Sequence, residues 1–254
     1  MGILFRSVAR LLFGKLLPRA AYPVLTGPLR GARILLGSMA GEGGGASVYF
    51  NMMEPEKTAA LVEALRPGAV FFDVGANIGF YSIVASRILG PAGKVVAFEP
   101  SVTNLAYLHR HVELNRATNV LIVPAACADR QSLELFDAGR NRAEGHIAES
   151  VGSASTGPYA LAPTTTVDAA VGKLGMEPDV LKIDVEGAEV SVLRGAQSML
   201  RRKRPVIFLE VHSDTLRSAC LEILQPLGYS FQTLSRDEAT TVEDLVATPE
   251  RVLR

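Results

Sequence analysis

Few segments constrain a fold as tightly as the one running from Ala69 through Val-Phe-Phe-Asp-Val-Gly-Ala-Asn-Ile-Gly-Phe-Tyr-Ser-Ile-Val-Ala-Ser to Arg87. Val70, Phe71, Phe72 and Val74 make an apolar run short enough for a buried strand, and Ile78, Tyr81, Ile83, Val84 and Ile88 then recur at helical spacing. The segment reads as strand, glycine turn and helix. A helix that begins directly after a parallel strand turns its free N–H groups and the positive end of its dipole toward the crevice at the sheet edge. Gly75 and Gly79 would let a ligand approach the backbone where a side chain would block it, and Ala76 and Asn77 complete the turn. Asp73, at the end of the strand, would repel a pyrophosphate and attract an ammonium group. The expected ligand is a nucleoside that carries a cation.

The next strand agrees. Lys94-Val-Val-Ala-Phe-Glu-Pro-Ser places Glu99, followed by Pro100, at the second strand end, about 20 residues past the turn, where an acid accepts hydrogen bonds from both ribose hydroxyls. Nicotinamide enzymes and S-adenosylmethionine enzymes share such an acid. A dinucleotide fingerprint wants G-x-G-x-x-G, and here Asn77 stands at the second glycine position. S-adenosylmethionine is therefore the expected cofactor; a nicotinamide cofactor and an unliganded structural turn are the alternatives. Val120 to Ala128 reads as a third buried strand whose end, at Ala125 and Ala126, leaves room for a flat adenine ring. Glu54, just before a helix predicted over Pro55 to Leu65, is placed to reach the cofactor's amino group; complementing that helix's dipole is the plainer role.

A second informative run is Asp179-Val-Leu-Lys-Ile-Asp-Val-Glu-Gly-Ala-Glu. Its strand ends at Asp184, and Asp184, Glu186 and Glu189 with Lys182 make a dense charge cluster at a strand tip, where open parallel sheets carry their chemistry. Pro205 to His212 is the last core strand and also ends in polar groups, Glu210 and His212. His109 and His111 lie two apart on a predicted helix, cannot share a metal, and read as surface or interface residues. Strands near Val70, Val95, Leu121, Val180, Val206 and Phe231, with helices between most of them, describe a doubly wound α/β sheet in which Tyr229 to Leu234 is an antiparallel edge strand. Leu133 to Phe136 alternates as a short strand, and Gly139 to Pro158 reads as a long lid or surface loop.

The first forty residues differ from the rest. Arg6, Arg10, Lys15, Arg19, Arg30 and Arg33 precede the first acid, Glu42, and alternate with Leu4, Phe5, Leu11, Leu12, Phe13 and Leu16. This is the pattern of a basic amphipathic helix, with no stretch approaching the ~20 apolar residues of a spanning helix. Residues 1–45 are expected to form an extension with a glycine-rich connection, a flexible link or a loop over the active site, ahead of a catalytic domain over 46–254. The extension would lie on an anionic membrane through residues 1–20, or pack on the domain or on a second subunit of a homo-oligomer. The chain has 26 basic and 26 acidic residues, so no global charge draws it to nucleic acid, and none is expected as a partner. Cys127 and Cys220 are the only cysteines, which suits core thiols in a cytoplasmic, reducing compartment.

Taken together, Phe72-Asp-Val-Gly-Ala-Asn-Ile-Gly-Phe-Tyr-Ser, Ala97-Phe-Glu-Pro-Ser and Leu181-Lys-Ile-Asp-Val-Glu-Gly-Ala-Glu resemble the FkbM family of S-adenosylmethionine-dependent methyltransferases. The resemblance implies the class I methyltransferase fold, a Rossmann-like, mostly parallel sheet with an antiparallel last strand, and methyl transfer to a hydroxyl of a small molecule, sugar or glycan. It implies cofactor contacts at Asp73, Gly75, Asn77, Gly79 and Glu99, with Asp184 and Glu186 beside the transferred methyl. One departure is Met53-Glu54, where the family has Tyr-Glu. An alcohol needs a base, and Asp184, Glu186 and His212 are the candidates, His212 having a suitable ordinary pKa. A divalent metal at Asp184 is an alternative that the reading does not adopt. The competing readings are a catalytically inactive nucleoside-binding protein and a membrane-associated scaffold.

Overall fold

A computed structural model describes residues 17–38, 42–139, 145–148, 150, 158–237 and 240–250. The amphipathic pattern of residues 1–16 lies outside the described residues. The first elements among the described residues are a hairpin, β1 (Ala21–Pro23) and β2 (Arg33–Leu35), followed by a 3₁₀ segment, Glu42–Phe50, and helix α1 (Pro55–Ala64). Directly after the glycine-rich connection the chain is tied down: Ala46, Val48 and Tyr49 are buried, and the Tyr49 hydroxyl donates to the Ile34 carbonyl at 2.6 Å.

Strand β3 (Val70–Val74), helix α2 (Phe80–Leu89), strand β4 (Lys94–Phe98), helix α3 (Val102–Leu114) and strand β5 (Val120–Val123) form the first half of the wound sheet. A small excursion follows: β6 (Ala126–Cys127), β7 (Ser132–Asp137), β8 (His146–Ile147) and β9 (Tyr159–Thr165). Helix α4 (Val167–Leu174), β10 (Val180–Ile183), α5 (Glu189–Arg194), α6 (Gln197–Arg202), β11 (Val206–Val211), α7 (Asp214–Leu224), β12 (Tyr229–Arg236) and β13 (Glu243–Pro249) complete the chain. The main sheet has the order β12-β13-β11-β10-β3-β4-β5. Five of its strands pair in parallel, and β13 runs antiparallel to both neighbours.

Because side chains alternate across a strand, Phe71 and Phe72 point to opposite faces and seed two cores. Phe71 joins Leu61, Ile83, Ile34 and Tyr49 on one face; Phe72 joins Val171, Leu193, Leu200 and Leu224 on the other. Both phenylalanines are fully buried, each worth about 1.5–3 kcal/mol of transfer free energy. The result is a three-layer α/β/α sandwich. Residues 21–36 of the expected extension contribute Val24, Leu29, Ile34 and Leu36 to the first core.

Two sequence expectations change here. Tyr229–Arg236 is the edge strand, but it pairs antiparallel with Glu243–Pro249, which slips between it and β11 and is itself the reversed strand. His111 is not a surface residue: it is fully buried, its Nδ1 lies 2.7 Å from the Ile78 carbonyl, and its Nε2 accepts from the Leu35 amide at 3.0 Å. That bonding needs a neutral ring, and burial lowers the His111 pKa accordingly. The buried imidazole therefore ties the first hairpin to the glycine turn.

Candidate active site

The sheet order reverses between β3 and β10, and a crevice opens at their carboxyl ends, the usual ligand site of such a sheet. The turn after β3 closes tightly against β10. Gly75 has φ +79°, and a Cβ there would collide with the Asp184 carbonyl, so only glycine lets the two strand tips meet. The amides of Gly75 and Ala76 donate to the Phe98 carbonyl at 3.1 and 2.9 Å, which locks the turn onto β4.

A cavity of about 290 Å³ occupies this crevice. Glu54, Gly75, Ala76, Asn77, Glu99, Pro100, Ala126, Asp184 and Glu186 all line it. The structure thus brings together most of the residues singled out in the sequence. Asp73, Gly79 and His212 stand outside the wall. Asp73 is fully buried under the turn, where it accepts from the Ser82 hydroxyl at 2.6 Å and faces the Lys182 ammonium at 3.5 Å. It is therefore not presented to a ligand's ammonium as the sequence suggested; its charge is taken up within the protein. Gly79 starts α2 at φ +89° and backs onto Leu108.

Glu99 forms one end of the cavity. Its carboxylate accepts from the Asn77 amide at 2.7 Å, the Ser101 amide at 2.8 Å and the Asn104 side chain at 3.3 Å. Burial nonetheless outweighs these bonds and raises its pKa to about 7. Apolar walls follow from Ile78, Phe98, Phe136 and Ile147. The last of these comes with Gly145 and His146 from β8 and the residue before it, inside the region read as a lid; residues 140–144, 149 and 151–157 of that region lie outside the described residues.

The opposite end is crowded with charge. Glu54 accepts from the Tyr81 hydroxyl at 2.6 Å and pairs with Lys57 at 2.9 Å. Lys57 is almost fully buried and also pairs with Glu210 and, at 2.7 Å, with Asp244. Lys182 Nζ lies 3.0 Å from Asp184. Burial alone would lower both lysine pKa values, but the surrounding carboxylates raise them, so both stay charged. Burial likewise opposes ionisation of Asp184, yet Lys182 and Lys57 hold its pKa down at about 2.

His212 sits beside this cluster, 2.8 Å from buried Glu189 through Nδ1 and 3.3 and 3.4 Å from Glu186 and Glu210 through Nε2. Burial works against its charged form, but bonds to Glu186, Glu189 and Glu210 raise its pKa to about 12. An imidazolium so held has no lone pair to offer near neutral pH. The sequence expectation of His212 as base does not suit this environment, which no spacing rule could have revealed.

Three of the non-glycine residues with positive φ line this one cavity: Glu54 at +35°, Asn77 at +52° and Glu186 at +51°. Backbone strain of this kind gathers where side chains must be aimed at a ligand. The residue set fits S-adenosylmethionine: a buried carboxylate for ribose hydroxyls at one end, apolar walls for a base, and a carboxylate-rich end for a cationic amino acid portion.

The family model of the methyltransferase FkbM domain matches residues 73–231. This chain belongs to the FkbM methyltransferase family. The matched region is a methyltransferase domain, and S-adenosylmethionine is its cofactor. Among solved structures, an FkbM methyltransferase from Methylobacillus flagellatus is similar at 17% identity and a TM-score of 0.53, covering 84% of this chain and 56% of that one. The precorrin-6y C5,15-methyltransferase of Geobacter metallireducens is similar at 16% identity and a TM-score of 0.51, covering 78% of this chain and 88% of that one. At such identity these likenesses concern the fold. In sequence, AMB antimetabolite synthetase AmbE of Pseudomonas aeruginosa is 31% identical over 187 residues, 58% of this chain and 8% of that protein. The FkbM chain thus spans a small part of that relative. Among the described residues no helix is long and apolar enough to cross a membrane.

Proposed function

We propose that this FkbM protein transfers a methyl group to a hydroxyl oxygen of a small molecule, sugar or glycan. The reading rests on one observation: Glu99 and the Asp184–Glu186 tip face the same cavity, so a nucleoside held at one end and a hydroxyl held at the other would share one space. When bound, S-adenosylmethionine would supply an electrophilic methyl, whose bond to sulfur breaks as the bond to the acceptor oxygen forms, leaving the neutral thioether of S-adenosylhomocysteine.

The chain's contribution is position and charge. Glu99 holds the ribose hydroxyls, and the walls around Ala126 and Phe98 receive the base. Glu54, steadied by Tyr81 and Lys57, receives the amino group. At the acceptor end Asp184 stays ionised beside Lys182 and gives that end its negative charge, while the acceptor's O–H donates to Glu186, which orients the oxygen. Glu186 is the base that takes the proton, since its side chain is the more open of the two, at 30% exposure against 23% for Asp184, and Asp184 is held by Lys182. His212 is a positioning residue, charged throughout and fixing Glu186. A rim bearing Glu54, Asp184, Glu186 and Glu210 repels a polyanion, which supports a neutral acceptor over nucleic acid.

The test is transfer from labelled S-adenosylmethionine to a panel of hydroxylated acceptors, with Glu186→Gln in parallel. An O-methylated product, and a kcat lower by about 10²–10⁴ in the variant with donor affinity unchanged, is expected. Products methylated only on carbon or nitrogen would overturn the proposal.

A further inference from the structure

The face opposite in character to the acidic cavity lies around the first hairpin. Arg19, Arg30, Arg33, Arg87 and Arg116 are all exposed there. They are linked directly: the Arg87 guanidinium donates to the Arg30 carbonyl at 3.0 Å, and the Arg33 amide donates to Asn115, next to Arg116, at 2.8 Å. Arg33 also reaches the Ala21 carbonyl at 3.2 Å, and Arg19 lies against Gly37 just past β2. The arginine ion pairs among the described residues are at Arg110, Arg130, Arg202, Arg217 and Arg236. None of the five arginines of this face pairs with a carboxylate among the described residues. Beside them the hairpin loop holds out Leu25, 47% exposed, one of few large apolar side chains so placed. The chain enters this face at Leu17, directly after a stretch that carries Arg6, Arg10 and Lys15 among leucines and phenylalanines, with no acid before Glu42.

We propose that the face built from the β1–β2 hairpin and the carboxyl ends of α2 and α3 docks on an anionic lipid surface. Unpaired arginines meet lipid phosphates, and each basic group near such a surface adds to binding. Leu25 supplies the apolar contact that separates interfacial docking from simple ion exchange. The same chemistry favours lipid over nucleic acid, because single-stranded nucleic acid calls for aromatic stacking platforms beside the cations; the ring on this hairpin, Tyr22, packs against the core, and the apolar group held out is the aliphatic Leu25. Lipid docking here is independent of the acceptor's identity, since none of these residues lines the cavity.

The experiment is sedimentation of the full chain with phosphatidylcholine vesicles, with and without phosphatidylglycerol. Binding only to the anionic vesicles is expected, lost in about 1 M salt, where the Debye length is about 3 Å. Arg30→Glu/Arg87→Glu/Arg116→Glu should weaken it by about 100-fold or more, and Leu25→Asp should weaken it while the salt dependence stays. Donor affinity should be unchanged in both variants, which also verifies their folding. The wild-type salt titration stands even if a variant fails to fold. Equal binding to both vesicle types, no binding, or binding to RNA in place of vesicles would overturn the proposal.

Discussion

Lowering the pH should weaken cofactor binding through Glu99, and the size of the effect follows from its surroundings. Burial raises the Glu99 pKa to about 7 in the free protein. Ribose hydroxyls donating to its carboxylate favour the charged form, so the bound protein holds this proton less tightly. Between its two pKa values the group must release a proton to bind. At pH 5.5 a group of pKa about 7 is ionised in only about 3% of molecules, so affinity drops about 30-fold, or ~2 kcal/mol, relative to pH 8. Folding stability runs the other way. An acid whose folded pKa lies above its unfolded value stabilises fully below the unfolded value, and this is lost as pH rises through about 7, here ~3 kcal/mol in the free protein. Isothermal titration with S-adenosylhomocysteine at several pH values, in buffers of different ionisation enthalpy, reads both the affinity and the released proton. An affinity flat from pH 5.5 to 8, or the same slope in Glu99→Gln, would refute the reasoning.

Other consequences are sharper for being local. Glu186→Gly relieves a left-handed backbone at φ +51° but removes a carboxylate partner of His212; denaturant titration should show the two effects offsetting to within about 1 kcal/mol, while kcat falls by about 10²–10⁴ as in Glu186→Gln. Lys57→Met strands Glu54, Glu210 and Asp244 without their shared cation; a loss of ~3–5 kcal/mol in unfolding free energy is expected. Because three carboxylates raise the His212 pKa to about 12, the pH profile of kcat should show no ionisation between 6 and 7. His212→Gln should lower kcat without introducing or removing a limb in that range.

How much of this was legible in sequence differs by element. The turn after β3 was readable because strand, glycines and helix follow one another locally, and Glu99 because its distance from that turn is set by one βα unit. Strand β13 was missed because it opens with Glu243 and Asp244, which argue against a buried strand until their partners are seen: Arg217 and Thr233 for one, Ser235 and Lys57 for the other. Lys57 itself carried no signal, since a lysine in the first turn of a helix normally points to water and only the folded chain surrounds it with acids. Lys182 did carry one: a lysine inside a four-residue buried strand must be paired. The displacement of Asp73 from the cavity depended on Ser82 and Lys182, which reach it from the following helix and from another strand. His111 failed for the same reason, its partners Leu35 and Ile78 being far off in sequence.

In the proposed arrangement one cavity joins a nucleoside end at Glu99 to an acidic end at Glu54 and Asp184. Titration of S-adenosylhomocysteine into the wild type, Glu99→Ala and Glu54→Ala at pH 8 probes both ends at once. Micromolar binding that each substitution weakens by at least about tenfold, with about 1.4 kcal/mol or more lost at each end, is the predicted result. Undiminished binding in either variant, or none in a folded wild-type sample, would contradict it.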